Sequence, residues 1–435
     1  MILKDHAYLP SNFVSYTAAA AEGDVEAQVA LGNMYFKGEN GVILDYNHSK
    51  EYFISAARSG SPVAQYSLGI MTEMGLGGIP KDYLKAFDWY AKAAAQKHSQ
   101  SQCAIGTLYR DGLGVHKDYS KALEFYRKAA NSGSADAENA IGFMYDKGYG
   151  VSADPKQAVE WYKKAAVKDH IEGILNLAWM WRTGRGVPKR DDMQAVDLYV
   201  KGASIGSSRS QHLLGFMFQQ GLGVSKNYSE AVEWFKKAAL KGHAPAQADL
   251  AYMYRNGYGV PQDYSAAFDW YEKSAAQNNS NGQNGLGFIY AFGLGVTQDF
   301  GRALSWYQMA ADQENTEALN NLAFMYRNGS GVVQDYYRAD MFYRKSAALG
   351  SLDACNHIGL MYLQGMASSK PNYSKAMEWF LKAKNLPAAQ HNIGHMYENG
   401  LVGFGRDVKA AISWYKKAGA QGFSKSEEAL ARLGL

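Results

Sequence analysis

Cysteine, long apolar runs and an excess of either charge are what this sequence lacks. Cys103 and Cys355 are the only cysteines among 435 residues. In the register described below they stand about seven repeats apart, and a stacked array holds such positions far beyond the ~7 Å Cα separation a disulfide spans. Each reads as a small buried or half-buried filler. No run of ~18 apolar residues occurs, so no helical membrane span is expected. Lysine and arginine number 45 against 41 aspartates and glutamates, a formal charge of +4. A nucleic-acid surface would show as a concentrated basic stripe, so no nucleic-acid partner is expected.

The opening stretch MILKDHAYLPSNFVSYTAAAAEGD has no basic leader followed by an apolar segment. A cytoplasmic location is the expectation for the chain as given, and a periplasmic or secreted one for a chain whose export signal had been removed.

Apolar residues, at 47%, and glycine, at 45 residues, are plentiful. That much apolar side chain suffices for a large core and argues against wholesale disorder. The glycines also recur. LAYMYRNGYGV at 250–260 is nearly repeated as LAFMYRNGSGV at 322–332, with LGFIYAFGLGV at 286–296 between them. The loop glycine of this motif stands at Gly38, Gly75, Gly112, Gly148, Gly184, Gly221, Gly257, Gly293, Gly329, Gly365 and Gly400, at intervals of 35 to 37 residues. Eleven units at that regularity mark a repeat architecture.

Six residues before each loop glycine stands a glycine (Gly32, Gly69, Gly106, Gly142, Gly215, Gly287, Gly359, Gly394) or an alanine (Ala178, Ala251, Ala323). Only the smallest side chains occur there, which predicts two helix backbones in close approach. An aspartate or asparagine follows the loop, from Asp82 and Asp118 through Asp407, and predicts the N-cap of a second helix. From that cap, alanine falls at +4, a bulky residue at +7, an aromatic at +8 and small residues at +11 and +12, which is one apolar helical face. Each unit thus reads as helix A, a glycine loop that closes it in the left-handed conformation, and helix B. A phosphate-binding glycine loop would open a helix at its positive end instead, so no nucleotide or other cofactor is expected.

The pattern A-x4-G-x2-Y-x2-G-x-G-V-x2-D-x3-A-x2-W-Y-x2-A-A, seen almost position by position from Ala246 to Ala275, closely resembles Sel-one-like repeats, relatives of tetratricopeptide repeats. The resemblance covers roughly nine-tenths of the chain. It implies an all-α, right-handed superhelical solenoid of eleven repeats over 24–422. A capping segment over 1–23 and a capping helix over 423–435 complete the expected array. Members of such a family act as adaptors in membrane-associated protein degradation, in bacterial signalling and host interaction, and as antidotes to secreted toxins; as a rule they are not enzymes. The paired cysteines of the family's secreted branch are missing. Unit five has Leu198 where tryptophan is usual, and unit ten reads QGMASSKPN without the second loop glycine. A short junction carrying Pro387 predicts a kink near 384–390.

Counting helix A from its small residue as position 0, positions −5, −1 and +3 fall on one side and predict the core stripe. Positions −3, +1 and +4 fall opposite, on the side that lines the concave groove of a tetratricopeptide-like stack. Position +1 carries an aromatic in six successive units: Phe143, Trp179, Phe216, Tyr252, Phe288 and Phe324. Position +4 carries Arg110, Arg182, Arg255 and Arg327, and position −3 carries Asn139, Asn284, Asn320 and Asn356, with His212 and His391. Six aromatics of roughly 150–250 Å² each, even one-third exposed, leave an apolar surface of roughly 300–500 Å². With arginine and asparagine beside them, they resemble the residues that dominate binding hot spots. Asparagine suits the backbone of an extended peptide and arginine a carboxylate.

The first functional reading is therefore a non-catalytic scaffold holding a peptide segment or protein domain in that groove, in the concrete form of a bacterial adaptor or toxin-neutralising protein. A carbohydrate-binding solenoid is the second, since Trp, Tyr, Asn and Arg equally stack on and hydrogen-bond sugars. The third is a metal-dependent hydrolase at the C-terminal units. There His391 and His395 stand at i, i+4 in HNIGHMYE with Glu398 a turn further, but Asn392 occupies the place a zinc protease gives to glutamate. No bound metal is expected.

Overall fold

In a computed structural model of the chain, residues 11–39, 41–366, 370–401, 403 and 405–435 are described. Every regular element among them is a helix. The A helices are Val25–Lys37, Pro62–Met74, Ser99–Asp111, Ala135–Lys147, Ile171–Thr183, Ser208–Gln220, Ala244–Asn256, Ser280–Phe292, Thr316–Asn328, Leu352–Leu363 and Pro387–Glu398. The B helices that follow them are Tyr46–Arg58, Tyr83–Ala95, Tyr119–Asn131, Pro155–Val167, Asp192–Ser204, Tyr228–Leu240, Tyr264–Ala276, Phe300–Asp312, Tyr336–Ala348, Tyr373–Lys382 and Val408–Gly419. Ser11–Ala21 precedes the first pair and Ser424–Arg432 follows the last. Residues 1–10 of the expected N-terminal cap, and Ala367 to Ser369 in the loop of repeat ten, lie outside the described residues.

The chain divides into two compact units. One comprises residues 1–210 with 222–225, the other 211–221 with 226–435. Within each, helix pairs pack in tandem. Ala135–Lys147 packs on Pro155–Val167, which in turn packs on Ile171–Thr183; the same holds from Ala244–Asn256 through Tyr264–Ala276 to Ser280–Phe292.

The caps explain where helices begin. Asp263, at φ −146°, accepts from the amide of Ala266, and the corresponding residue does the same in every other B helix, from Asp45 to Asp407. Three A helices instead begin at a histidine: His98, His170 and His243 each accept a backbone N–H three residues on through Nδ1.

The reason for the invariant small residue differs from the expected one. What approaches it is the +8 aromatic ring of helix B. A Cβ on Gly142 would stand 2.7 Å from Cδ1 of Tyr162, one on Gly215 2.7 Å from the Phe235 ring and one on Gly287 2.6 Å from Tyr307. Those rings are almost wholly buried, as are the leucines and isoleucines at −1. The core stripe is also wider than the sequence pattern predicts. Position +2, from Met34 and Met71 to Met361 and Met396, is buried throughout, whereas most of the +3 tyrosines are only half-buried at its edge. A pliable side chain suits that place, since it must fill the gap between a B-helix ring and the next repeat.

The second loop glycine has a duty apart from closing helix A. A Cβ on Gly259 would meet the amide of Ser229 at 2.6 Å, and one on Gly150 the carbonyl of Tyr119 at 2.8 Å. It is the point where a loop lies flat on the first turn of the preceding B helix. At the short junction, the B helix of repeat ten stops at Lys382 after 10 residues where the others run 12 or 13, and Pro387 opens the next A helix with no side-chain cap.

Candidate interaction surface

Position +1 is aromatic in six repeats, whereas Thr107 at the same position bonds the hydroxyl of Tyr126, the ring that covers Gly106, at 3.1 Å. In the first unit Phe143 is half-buried and Trp179 is 44% exposed; in the second Phe216 and Phe288 are half-buried, Tyr252 is 37% and Phe324 44% exposed. None of these six belongs to the buried core. Each unit carries a cavity on this A-helix side. That of the first unit, about 900 Å³, is lined by Arg110, Asn139 and Phe143 together with Tyr66, Ile70 and Thr107. That of the second unit, about 270 Å³, is lined by Tyr252, Arg255 and Asn284, with Asp249, Tyr271 and Glu317.

The arginines have two occupations. Toward the surface they stack: the Arg255 guanidinium lies 5.0 Å from the Tyr252 ring centre and 4.3 Å from that of Phe288, and Arg327 lies 5.3 Å from Phe324. Arg110 lies 6.0 Å from Phe143 and is bidentate to Asp111 at 2.7 and 2.8 Å. Toward the core, position +4 attends the buried phenol of its own repeat. Arg182 hydrogen-bonds the hydroxyl of Tyr199, Glu73 accepts from Tyr90 at 2.7 Å and Glu398 from Tyr415 at 2.7 Å. Burial, and then the bond to Glu73, pushes the Tyr90 hydroxyl well above its ordinary value. Where helix B carries phenylalanine instead, at Phe53, Phe235 and Phe380, position +4 is the uncharged Phe36, Gln219 and Leu363.

The asparagines are less available than their register suggests. Asn139 accepts from Asn176 at 2.9 Å, Asn284 from Asn321 at 2.9 Å and Asn356 from Asn392 at 2.8 Å. Asn284 and Asn356 are buried, and Asn284 also donates to Glu317 at 3.0 Å. Asn320 donates to Ser351 at 3.2 Å. His212 bonds Asp249 at 2.6 Å across the same kind of junction. These side chains tie one A helix to the next, and Asn139 and Asn284 also line the two cavities.

The C-terminal constellation is also engaged internally. His391 contacts Ser426 at 3.0 Å and packs at a tilt against the rings of Tyr415 and Phe423, while burial pulls its pKa down. Arg432 holds Glu398 at 2.7 and 2.8 Å, and His395 is exposed. Among the described residues no group of three His, Cys, Asp or Glu side chains is placed to hold a metal, and no helix is long and apolar enough to cross a membrane. Sequence reasoning missed Asp249, Tyr271, Glu317 and Gly285 at the second cavity. The one available signal was Gly285, a bare glycine two residues before the motif glycine Gly287.

The Sel1 repeat model matches residues 25–61, 62–98, 99–134, 135–170, 171–207, 208–243, 244–279, 280–315, 316–351, 352–386 and 387–423. The chain belongs to the Sel1 repeat family. Sel1 repeats mediate protein–protein interaction and generally act as non-catalytic scaffolds. Among solved structures, the chain is similar to a protective antigen of uropathogenic Escherichia coli strains with an SLR fold. The two are 32% identical, over 97% of this chain and 91% of that one, with a TM-score of 0.64. A Sel1 repeat protein from Oxalobacter formigenes is 33% identical over 57% of this chain and 96% of that one, at TM-score 0.49. An immunity protein from Pseudomonas aeruginosa is 21% identical over 51% and 82%, at TM-score 0.34. The last two likenesses are too loose to carry an argument about this chain. No curated protein matches it.

Proposed function

We propose that this Sel1 repeat chain is a non-catalytic adaptor whose A-helix face holds a segment or domain of a partner protein. The observation that supports this reading is the exposure of Trp179, Tyr252 and Phe324 on helices whose −1 and +2 positions are buried. Aromatic rings left at the surface beside stacked arginines are the composition of binding hot spots. The finer form, a bacterial adaptor or toxin-neutralising protein, follows the family resemblance and awaits the partner's identity. Capture of partners from lysate by the wild type and by a Trp179→Ala, Tyr252→Ala, Phe324→Ala variant tests it. The adaptor reading expects a protein retained by the wild type and lost by the variant. A glycan retained in place of a protein would replace it with the carbohydrate-binding reading.

A further inference from the structure

The outer face of the B helices is nearly uniform along the chain and changes in two neighbouring repeats. Counted from the cap, positions +6 and +10 lie opposite the buried alanine at +4 and the buried ring at +8. Position +6 is acidic in eight of the eleven repeats, the exceptions being Ser305, Met341 and Ser413. Position +10 is lysine in nine, the exceptions being Ser55 and Met309. The two charges pair along the helix, as Glu124 does with Lys128 at 2.6 Å and Glu378 with Lys382 at 3.3 Å. In six repeats the lysine also lies over the tryptophan at +7, 3.7 to 4.3 Å from its ring centre.

Repeats eight and nine, both in the second unit, break this row. On Phe300–Asp312 the two places hold Ser305 and Met309, and on Tyr336–Ala348 the acidic place holds Met341. Met309 is 46% exposed, Met341 48%, and Tyr337, a turn before Met341, 82%. The two helices are neighbours, since Phe342 packs against the core of repeat eight. Their outer faces therefore make an apolar island with a charged row on either side, Asp269 and Lys273 in repeat seven and Glu378 and Lys382 in repeat ten. Pliable methionines on an exposed patch are a feature of interaction surfaces.

The island is complementary to itself. A two-fold axis between the two helices, midway in height between +6 and +10, lays repeat eight of one copy on repeat nine of the other with the helix direction reversed. Met309 then meets Met341 of the second copy, and Ser305 meets Lys345. The same rotation sets Asp269 opposite Lys382 and Lys273 opposite Glu378, so both flanking rows attract. We propose that the outer faces of repeats seven to ten form an isologous interface between two copies of this chain, with the methionines at its centre and these ion pairs at its rim. Four helices of up to ~20 Å, about 9 Å apart, offer roughly 500–700 Å² per copy. That falls below the ~800 Å² of a standard interface, which makes the dimer a weak one with a micromolar Kd. The interface uses the B helices and does not depend on the partner proposed for the A-helix face.

Sedimentation equilibrium of the full chain from about 1 to about 200 μM tests it. A reversible monomer–dimer equilibrium is expected. Met309→Lys with Met341→Lys sets like charges face to face and should leave a monomer with the wild-type Tm, since about half of each side chain is exposed. Asp269→Lys opposes Lys382 of the second copy and should weaken the dimer about three- to tenfold. Adding Lys382→Glu to that variant should restore it, which only this pairing of the two copies explains. A wild-type chain that stays monomeric throughout, whatever else the island binds, would overturn the proposal. So would a dimer untouched by the two lysines, or no recovery on the double charge exchange.

Discussion

The ring of Tyr307 lies on Gly287: a Cβ at 287 would stand 2.6 Å from its Cδ1 and 2.7 Å from its Cε1. Glycine inside a helix is normally a liability of roughly 0.5–1 kcal/mol, so its presence there reflects the ring. Gly287→Ala gains helix propensity but forces Tyr307 to shift, for which overpacking costs about 1–3 kcal/mol. We expect a net loss of about 1 kcal/mol, and a larger one for Gly287→Val, in urea denaturation. An alanine variant more stable than wild type would mean the ring yields freely.

Gly259 and Gly242 separate backbone strain from contact. Both have positive φ, +71° and +82°, but a Cβ on Gly242 meets nothing within 4 Å, whereas one on Gly259 meets the backbone of the preceding B helix. Gly242→Ala should cost about 1 kcal/mol for the left-handed conformation alone. Gly259→Ala should cost distinctly more, about 2–4 kcal/mol, because two repeats must part. Equal losses would show that the loop contact is soft.

Asn356 illustrates an asparagine that works between repeats. Asn356→Ala leaves the Asn392 amide without its acceptor in a nearly buried place and should cost about 1–3 kcal/mol. Denaturation should register that loss, while partner capture by the folded protein remains. Lost capture at full stability would restore Asn356 to the contact surface.

Three histidines set a pH dependence. Burial lowers the pKa of His98, His357 and His391 below the ordinary 6.5, with Arg327 adding to the effect at His357 and His395, Lys425 and Arg432 at His391. The fold therefore favours their neutral forms. Their contribution is present above pH ~6.5 and is lost as pH falls from there toward the lowered folded values. His98 also needs an unprotonated Nδ1 to cap its helix. Urea midpoints should drop between about pH 7.5 and about pH 5.5, less so in a His98→Asn, His357→Asn variant. The aspartates Asp45 and Asp82, whose pKa values lie below the ordinary 3.8, act in a separate and more acid window.

The repeat, its period and both helices of each pair were legible in the sequence because each unit restates the same constraints: a cap, a closing glycine, a small residue and an aromatic. Which partner imposed a constraint was not. Gly142 and Gly215 show that a small residue is required without showing that Tyr162 and Phe235 require it. The second loop glycine likewise answers to a helix some 30 residues earlier, as Gly259 does to Ser229. At the surface the register set the +1 aromatics opposite the core stripe, and they lie outside the buried core. It could not show that Asn284 and Asn356 are used between neighbouring helices, because a hydrogen bond across a junction leaves no period of its own.

The account rests most on the claim that the A-helix aromatics serve a partner instead of the fold. Thermal melting of the Trp179→Ala, Tyr252→Ala, Phe324→Ala variant beside the wild type tests this most directly, paired with capture of the wild-type partner. With over a third of each ring exposed, burial of the remainder is worth about 1–2 kcal/mol per site. The account predicts a modest fall in Tm with capture lost at temperatures where the variant is still fully folded. Capture retained by a variant whose Tm has collapsed would contradict it and make those rings part of the core.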